Sequence, residues 1–316
     1  MTNEEAMTSP ESGTDRSVKV GLILPLFSGD AGKVVSAARA AEDLGFDGVF
    51  AFDHFFPPGA PPDRAALEAF TILGAVAAAT ERVRLGTLVT RAILRPVGML
   101  AKMAATVDLI SHGRMILAVG TGDPIDRPEH HTFGFPNLSV KERRAHMAET
   151  IEGLKALFTN ETYQGGDHQP RLEGPLLPPP VHPGGPPIWV GAQSEEVVRM
   201  AARLADGWNG WGLDPQAFRP KAEILAEEAD RAGRVVEATW AGIVLLGEDE
   251  AEAERLVADR RRRGMEDGVA FAGAADRFAQ HARDLADAGA KWVIAVLAGP
   301  PGRRQLLAER VLPALR

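Results

Sequence analysis

Cysteine is absent from the 316 residues, which removes disulfides, thiolate zinc sites, thiolate-held iron–sulfur clusters and a cysteine nucleophile together. An excess of positive charge is absent as well. Asp and Glu number 43 against 35 Lys and Arg, a formal net charge of -8, so no broad cationic field exists to attract a phosphate backbone and nucleic acid is not an expected partner. No apolar run reaches the roughly 18 residues that a bilayer-spanning helix needs, so no membrane partner is expected. HExxH, GxSxG and P-loop motifs are missing. The histidines are scattered apart from the adjacent His130 and His131, and no metal site is expected. Residues 1–17, MTNEEAMTSPESGTDRS, are polar and acidic with no apolar centre, which predicts a disordered tail and not a signal peptide. Together with the lack of cysteine, this points to a reducing cytoplasm.

What is there is ordinary globular material, 45% hydrophobic and 25% charged, with enough chain to bury a sizeable core. Residues 18–24, VKVGLIL, form a nearly unbroken apolar run that suits a strand buried on both faces, and residues 31–45 follow with helical periodicity ending on Gly45. The unit recurs. Strands are predicted at 47–52, 83–89, 114–120, 187–192, 206–210, 239–246 and 291–297. Helices are predicted near 66–79, 96–111, 139–159, 194–205, 214–233, 249–263, 274–289 and 303–315. Strands alternating with helices in this number over about 300 residues predict one (β/α)₈ TIM barrel domain spanning 18–316. The rival, an open doubly wound sheet, needs a glycine fingerprint after its first strand, and PLFSGDAG at 25–32 lacks it.

Two insertions interrupt the repeat: residues 122–138 after strand four and the Pro- and Gly-crowded residues 160–186 before strand five. Each reads either as a lid or binding loop or, for the second, as a surface hairpin. The basic run Arg260–Arg263 closes a helix before Gly264, where positive charge suits the helix dipole.

Function in such a barrel belongs at the carboxyl ends of the strands. Asp53 and His54 end strand two, Thr87 to Thr90 end strand three, Gly120 to Asp123 follow strand four and Gly191 to Ser194 follow strand five. An imidazole at such a place can act as general acid or base, or can close a loop by hydrogen bonding. The run Gly120, Thr121, Gly122 leaves room for a flat ligand against the backbone, and Asp123 then offers a carboxylate, although a turn is the plainer reading. Gly191, Ala192, Gln193 and Ser194 pass from strand to helix and form either an anion site or an ordinary N-cap, with the acidic Glu195 and Glu196 weighing against a phosphate.

The segment RPVGMLAKMAATVDLISHGRMILAVGTGD, from Arg95 to Asp123, resembles the central signature of the bacterial luciferase-like flavin-dependent oxidoreductases. LGFDGVFAFDH (44–54), ERVRLGTLVT (81–90), PPIWVGAQSEEVVRMAARLADGW (186–208) and AGAADRFAQHARDLADAGAKWVIAVL (273–297) fall in the same order as in that family. The resemblance implies a (β/α)₈ barrel with a flavin mononucleotide or the deazaflavin coenzyme F420 across the strand ends. Asp53 and His54 match the deazaflavin branch. The resemblance further implies a bulge over Thr87, Leu88, Val89 and Thr90 with a cis bond between Leu88 and Val89. It implies that Gly120, Thr121 and Gly122 face the ring, and that Gly191 to Ser194 hold the phosphate end.

These likenesses imply hydride transfer between coenzyme F420 and a small organic substrate. His54 would be the acid/base group, Asp53 would orient it or touch the ring, and Asp123 would be a second proton donor. Asp123 stands where many relatives carry Trp or another bulky residue and where the sugar-phosphate dehydrogenase branch has an acid. The lysines with which that branch holds a substrate phosphate have no match here, which disfavours glucose 6-phosphate. The alternatives are an FMN monooxygenase supplied with reduced flavin by a partner reductase and, from another class, a non-catalytic flavin-binding protein. Relatives are often homodimers.

Overall fold

A computed structural model describes residues 18–58, 63–123, 125, 127–191, 193–265 and 268–315. The tail expected over 1–17 and the expected ligand-contacting Ala192 lie outside the described residues. The strands are β1 (Lys19–Ile23), β2 (Gly48–Ala51), β3 (Arg84–Thr87), β4 (Thr90–Arg91), β5 (Met115–Gly120), β6 (Ile188–Gly191), β7 (Gly207–Trp211), β8 (Glu237–Gly247), β9 (Val269–Ala274) and β10 (Ala290–Ala298). The helices are α1 (Ala31–Asp43), α2 (Ala69–Ala79), α3 (Val97–Ile110), α4 (Arg127–Phe133), α5 (Val140–Thr159), α6 (Glu195–Leu204), α7 (Pro215–Arg231), α8 (Glu250–Arg262), α9 (Ala275–Asp287) and α10 (Arg303–Arg310). Strands run parallel in the order β10-β1-β2-β3-β5-β6-β7-β8, and β10 also pairs with β8. The sheet is therefore a closed (β/α)₈ barrel, as the repeat of apolar runs predicts. No helix among the described residues is long and apolar enough to cross a membrane.

Each apolar run is continuous because both faces of the strand are buried. On β5, Met115, Leu117 and Val119 pack outward against the helices, while Ile116 and Ala118 point into the barrel. Inside, Phe50, Trp189 and Trp292 form a plug with ring centroids 5.7–5.8 Å apart. Aromatics of this size fit a small barrel only where the facing strand positions are glycine. A β-carbon on Gly48 would come within 2.8 Å of Trp292, and one on Gly21 within 2.9 Å of Phe50. The plug fills the amino-end half and leaves the carboxyl end open.

Besides the two-residue β4, which pairs with β5, two elements were not foreseen. Strand β9 pairs with Ile243–Gly247 of β8, whereas β7 pairs with Glu237–Ala241. The 11-residue β8 outruns its neighbour, and β9 satisfies the backbone groups left over. The other is α4, which folds inside the first insertion.

The second insertion is a surface hairpin along the flank of α5 and not a lid. Tyr163 and Leu172 form an antiparallel bridge, and Glu149 of α5 accepts the backbone N–H groups of Asp167, His168 and Gln169 at 3.2, 2.8 and 2.8 Å. Its exit is tied to the buried Asp108 at the end of α3, which accepts from Val181 N at 2.8 Å and faces His182 Nδ1 at 3.3 Å. The Arg260–Arg262 run closes α8 as expected, with Gly264 in the left-handed region at φ 63°.

Candidate active site at the carboxyl end of the barrel

A cavity of about 510 Å³ opens at the carboxyl ends of β2 to β7, within the range of small-molecule sites. His54, Leu88, Val89, Gly120, Thr121, Gly122, Asp123, Gly191 and Gln193, all singled out from sequence, line it. Phe52, Pro58, Arg91, Ile125, Asn209 and Trp211 complete the wall. Phe52 and Trp211 meet edge to face at 5.7 Å, and Phe27 stacks on Phe52 at 5.9 Å, so one flank is aromatic.

His54 leaves β2 just past its last paired residue, and its side chain is 21% exposed. Its Nδ1 lies 3.1 Å from Glu129 Oε1. Glu129 comes from α4, is itself buried, and pairs through Oε2 with the guanidinium of Arg91. Arg91 Nη2 also donates to the carbonyl of Asp53 at 3.2 Å. Burial opposes ionisation of Glu129, but the His54 hydrogen bond, the Arg91 charge and the Phe55 backbone N–H outweigh it and hold its carboxyl down at about 2.

Asp53 does not orient His54. Its carboxylate is buried, accepts a short hydrogen bond from Thr90 Oγ1, and is gripped by both terminal nitrogens of Arg95. Arg95 reaches on to Glu68 at 2.6 Å and lies over the Phe70 ring. Asp53 and Thr90 are thus a buried clamp behind the cavity wall and do not line it. Thr87 turns away too: its hydroxyl donates to Ala118 O at 2.9 Å and accepts from Ala118 N at 3.1 Å, joining β3 to β5.

Between β3 and β4 the chain bulges at Leu88 and Val89, and the bond joining them is cis, as the resemblance implies. The Val89 side chain lies over Gly120 and Gly191: a β-carbon on Gly191 would sit 2.7 Å from Val89 Cγ1, and one on Gly120 would be closer still to Cγ2. The room above these glycines is therefore filled by Val89, and a flat ligand would meet this bulge in place of bare glycine backbone. Gly122 has φ 76°, and its carbonyl accepts from Arg143. Asp123 is exposed at the mouth, with Oδ1 accepting from Ile125 N at 3.4 Å.

Ser194 occupies the N-cap position of α6 but makes no capping hydrogen bond. Its hydroxyl accepts from Arg144 Nη2 at 3.3 Å. The two first-turn acids are neutralised, Glu196 by Arg144 and Glu195 by Arg199 at 2.7 Å, which removes the electrostatic objection to an anion at this helix end. The side-chain amide of Gln193 is turned to the carbonyl of Trp211.

The family model described as luciferase-like monooxygenase matches residues 7–300. The chain belongs to that family. Among curated members of the luciferase-like family, an F420-dependent glucose-6-phosphate dehydrogenase of Nakamurella multipartita is 28% identical over 278 residues, covering 83% of this chain and 78% of the relative. Two solved structures share the fold. Monooxygenase RslO1 from Streptomyces bottropensis has a TM-score of 0.75 at 24% identity, covering 94% of this chain and 99% of that one. An F420-dependent secondary alcohol dehydrogenase in complex with an F420-acetone adduct has a TM-score of 0.81 at 19% identity, covering 95% and 99%.

The site residues that sequence reasoning missed are Glu129 and Arg91, with the aromatic flank of Phe52 and Trp211. Phe52 and Arg91 were within reach, because each adjoins a residue already placed at a strand end of a luciferase-like barrel. Glu129 carried only a weak signal, an acid inside an insertion on the functional face.

Proposed function

We propose that this chain is a coenzyme F420-dependent oxidoreductase, transferring a hydride between the deazaflavin and a small organic substrate, with His54 as the acid/base group. The observation that carries the reading is the imidazole of His54, fixed at the wall of a barrel-end cavity that the Leu88–Val89 bulge of the neighbouring strand also lines. The residues fit such a group. Val89 stands up from the floor as a surface for a flat ring, and the uncapped end of α6 with Arg144 and Ser194 suits a phosphate. Leu88, Val89, Gly120, Thr121, Gly122, Gly191, Gln193 and Ser194 are the proposed contacts, with Thr87, Thr90 and Asp53 supporting them from behind.

When bound, coenzyme F420 supplies two-electron hydride chemistry. His54 takes the hydroxyl proton of an alcohol as the carbinol carbon gives up its hydride, and returns it in the reverse direction through Nε2, on the ring edge away from Glu129. Asp123, exposed at the mouth, is a second proton donor. Phe52 and Trp211 cover the apolar part of the substrate. Arg91 is the one cation among the described cavity-lining residues and Glu129 already pairs with it, which argues against a sugar phosphate as substrate even though the Nakamurella relative is named for glucose 6-phosphate. A single domain over 18–316, a homodimeric state, a cytoplasmic location and a reductase partner that replenishes reduced cofactor complete the proposal.

Titrating the purified chain with coenzyme F420 and with FMN, followed by fluorescence, tests the reading. Micromolar or tighter F420 binding and bleaching of the coenzyme by small alcohols are expected. FMN binding without F420 affinity would replace this reading with a monooxygenase, and F420 binding without any turnover would leave a binding protein.

A further inference from the structure

We infer that Glu129 and Arg91 form a positioning pair that fixes the tautomer of His54, holding the proton on Nδ1 and leaving Nε2 as the atom that exchanges protons in the cavity. This rests on His54 being the acid/base group proposed above. The geometry carries it. Glu129 Oε1 is 3.1 Å from His54 Nδ1, Glu129 is buried, and its second oxygen is held by the equally buried Arg91. An ionised carboxylate only accepts hydrogen bonds, so the nitrogen facing it must carry the proton. In water a neutral imidazole has no such constraint. Arg91 keeps the carboxylate ionised in a buried place and prevents it from turning away.

The charged groups around the ring are consistent with this division of labour. Arg91 approaches from β4 but spends Nη2 on Glu129 and on the carbonyl of Asp53. The carboxylate of Asp53, next in sequence, is turned to Arg95. Asp123 lines the cavity from the loop after β5. Glu129 Oε1 is the carboxylate oxygen that faces the imidazole Nδ1, at 3.1 Å.

The pair is held as a unit. Phe133, the last residue of α4, and Phe135 just after it meet Phe55 at 4.8 and 5.8 Å, and Phe56 N points at Glu129 Oε1 at 3.5 Å. His130 Nδ1, the next residue along, lies 3.0 Å from Pro136 O. The first insertion therefore presses onto the segment that follows His54, and its function is to deliver a carboxylate to the far edge of the imidazole.

The test is the histidine tautomer read by nitrogen NMR on the full-length chain labelled with ¹⁵N-histidine, without coenzyme, in wild type and in Glu129→Gln. In the variant the single carbonyl oxygen of the amide goes to Arg91, and the NH₂ is presented to Nδ1. Wild type is expected to show neutral His54 protonated on Nδ1 and E129Q to show it on Nε2. Turnover with coenzyme F420 is expected to fall by about 100-fold or more in E129Q while coenzyme affinity stays within about twofold. A merely structural role would leave the tautomer where it was. An unchanged tautomer in E129Q, or Nε2–H in wild type, overturns the inference. The wild-type spectrum decides even if the variant fails to fold. If the tautomer switches but no F420 turnover exists in wild type, the coenzyme assignment fails and the positioning pair stands.

Discussion

Val89 fills the space above Gly191, so closely that a β-carbon there would lie 2.7 Å from Val89 Cγ1. Glycine is needed at this strand end to seat a side chain of the same protein, and a ligand then rests on what is seated. Gly191→Ala is expected to push Val89 toward the cavity, costing about 1–3 kcal/mol of stability and weakening cofactor binding about tenfold. Val89→Ala in the same molecule should restore part of the loss. Urea titration and cofactor titration of the single and double variants measure both, and strict additivity would contradict the contact.

His54→Ala is expected to lower turnover by about 100- to 10,000-fold, the range for loss of a general acid/base, with cofactor affinity nearly unchanged. Steady-state kinetics beside a fluorescence titration separates the two. Full activity in the variant would remove His54 from the chemistry.

Glu129 makes stability fall in acid. Its carboxyl titrates at about 2 in the folded chain against an ordinary 4.5, so its contribution is complete above about 4.5 and is lost as pH falls from there toward 2. The stake is on the order of 3 kcal/mol. Urea unfolding at a series of pH values should show wild type losing more stability than E129Q across that interval, and parallel curves would refute it.

Much of this architecture was legible in the sequence. The runs at 18–24 and 114–120 read correctly as strands because strands buried on both faces need no polar alternation, and a single strand-helix rhythm gave the barrel. Strand β9 was hidden because Val269–Ala274 follows Gly264 and Gly268 and is only half-buried. It exists to serve the leftover edge of β8, a need visible only once the register is known. Helix α4 was hidden by Pro128 and by its length of seven residues. The site was legible as a list of strand ends but not as a set of contacts. Asp53 adjoins His54 in sequence, yet it turns to Arg95, 42 residues on, while the carboxylate that reaches His54 is 75 residues on.

Arg114 opens β5 at the face opposite the site, and its buried guanidinium donates to the carbonyls of Ser111, Val83, Ala77 and Thr80 and to the Thr80 hydroxyl, all at 2.7–2.9 Å. Arg114→Met leaves those buried acceptors without donors and is expected to cost about 3 kcal/mol or more. Thermal or urea unfolding checks this. Because the residue is remote from the cavity, the folded fraction should keep wild-type cofactor affinity.

Arg144 joins Ser194 and Glu196 at the start of α6. Arg144→Ala uncovers the Glu196 charge there and is expected to weaken F420 binding about tenfold, with the defect growing as ionic strength falls. A salt series of titrations reads it, and an affinity equal to wild type at low salt would place the phosphate end elsewhere.

The 75-residue gap between His54 and Glu129 also bears on synthesis. A ribosome adding about 5–20 residues per second extrudes the imidazole several seconds before the carboxylate that meets it. Any fragment ending at β5 carries the histidine without its partner. Competence at this rim is thus a property of the elongated chain, and a half-barrel excised for study would display the residue while lacking the arrangement.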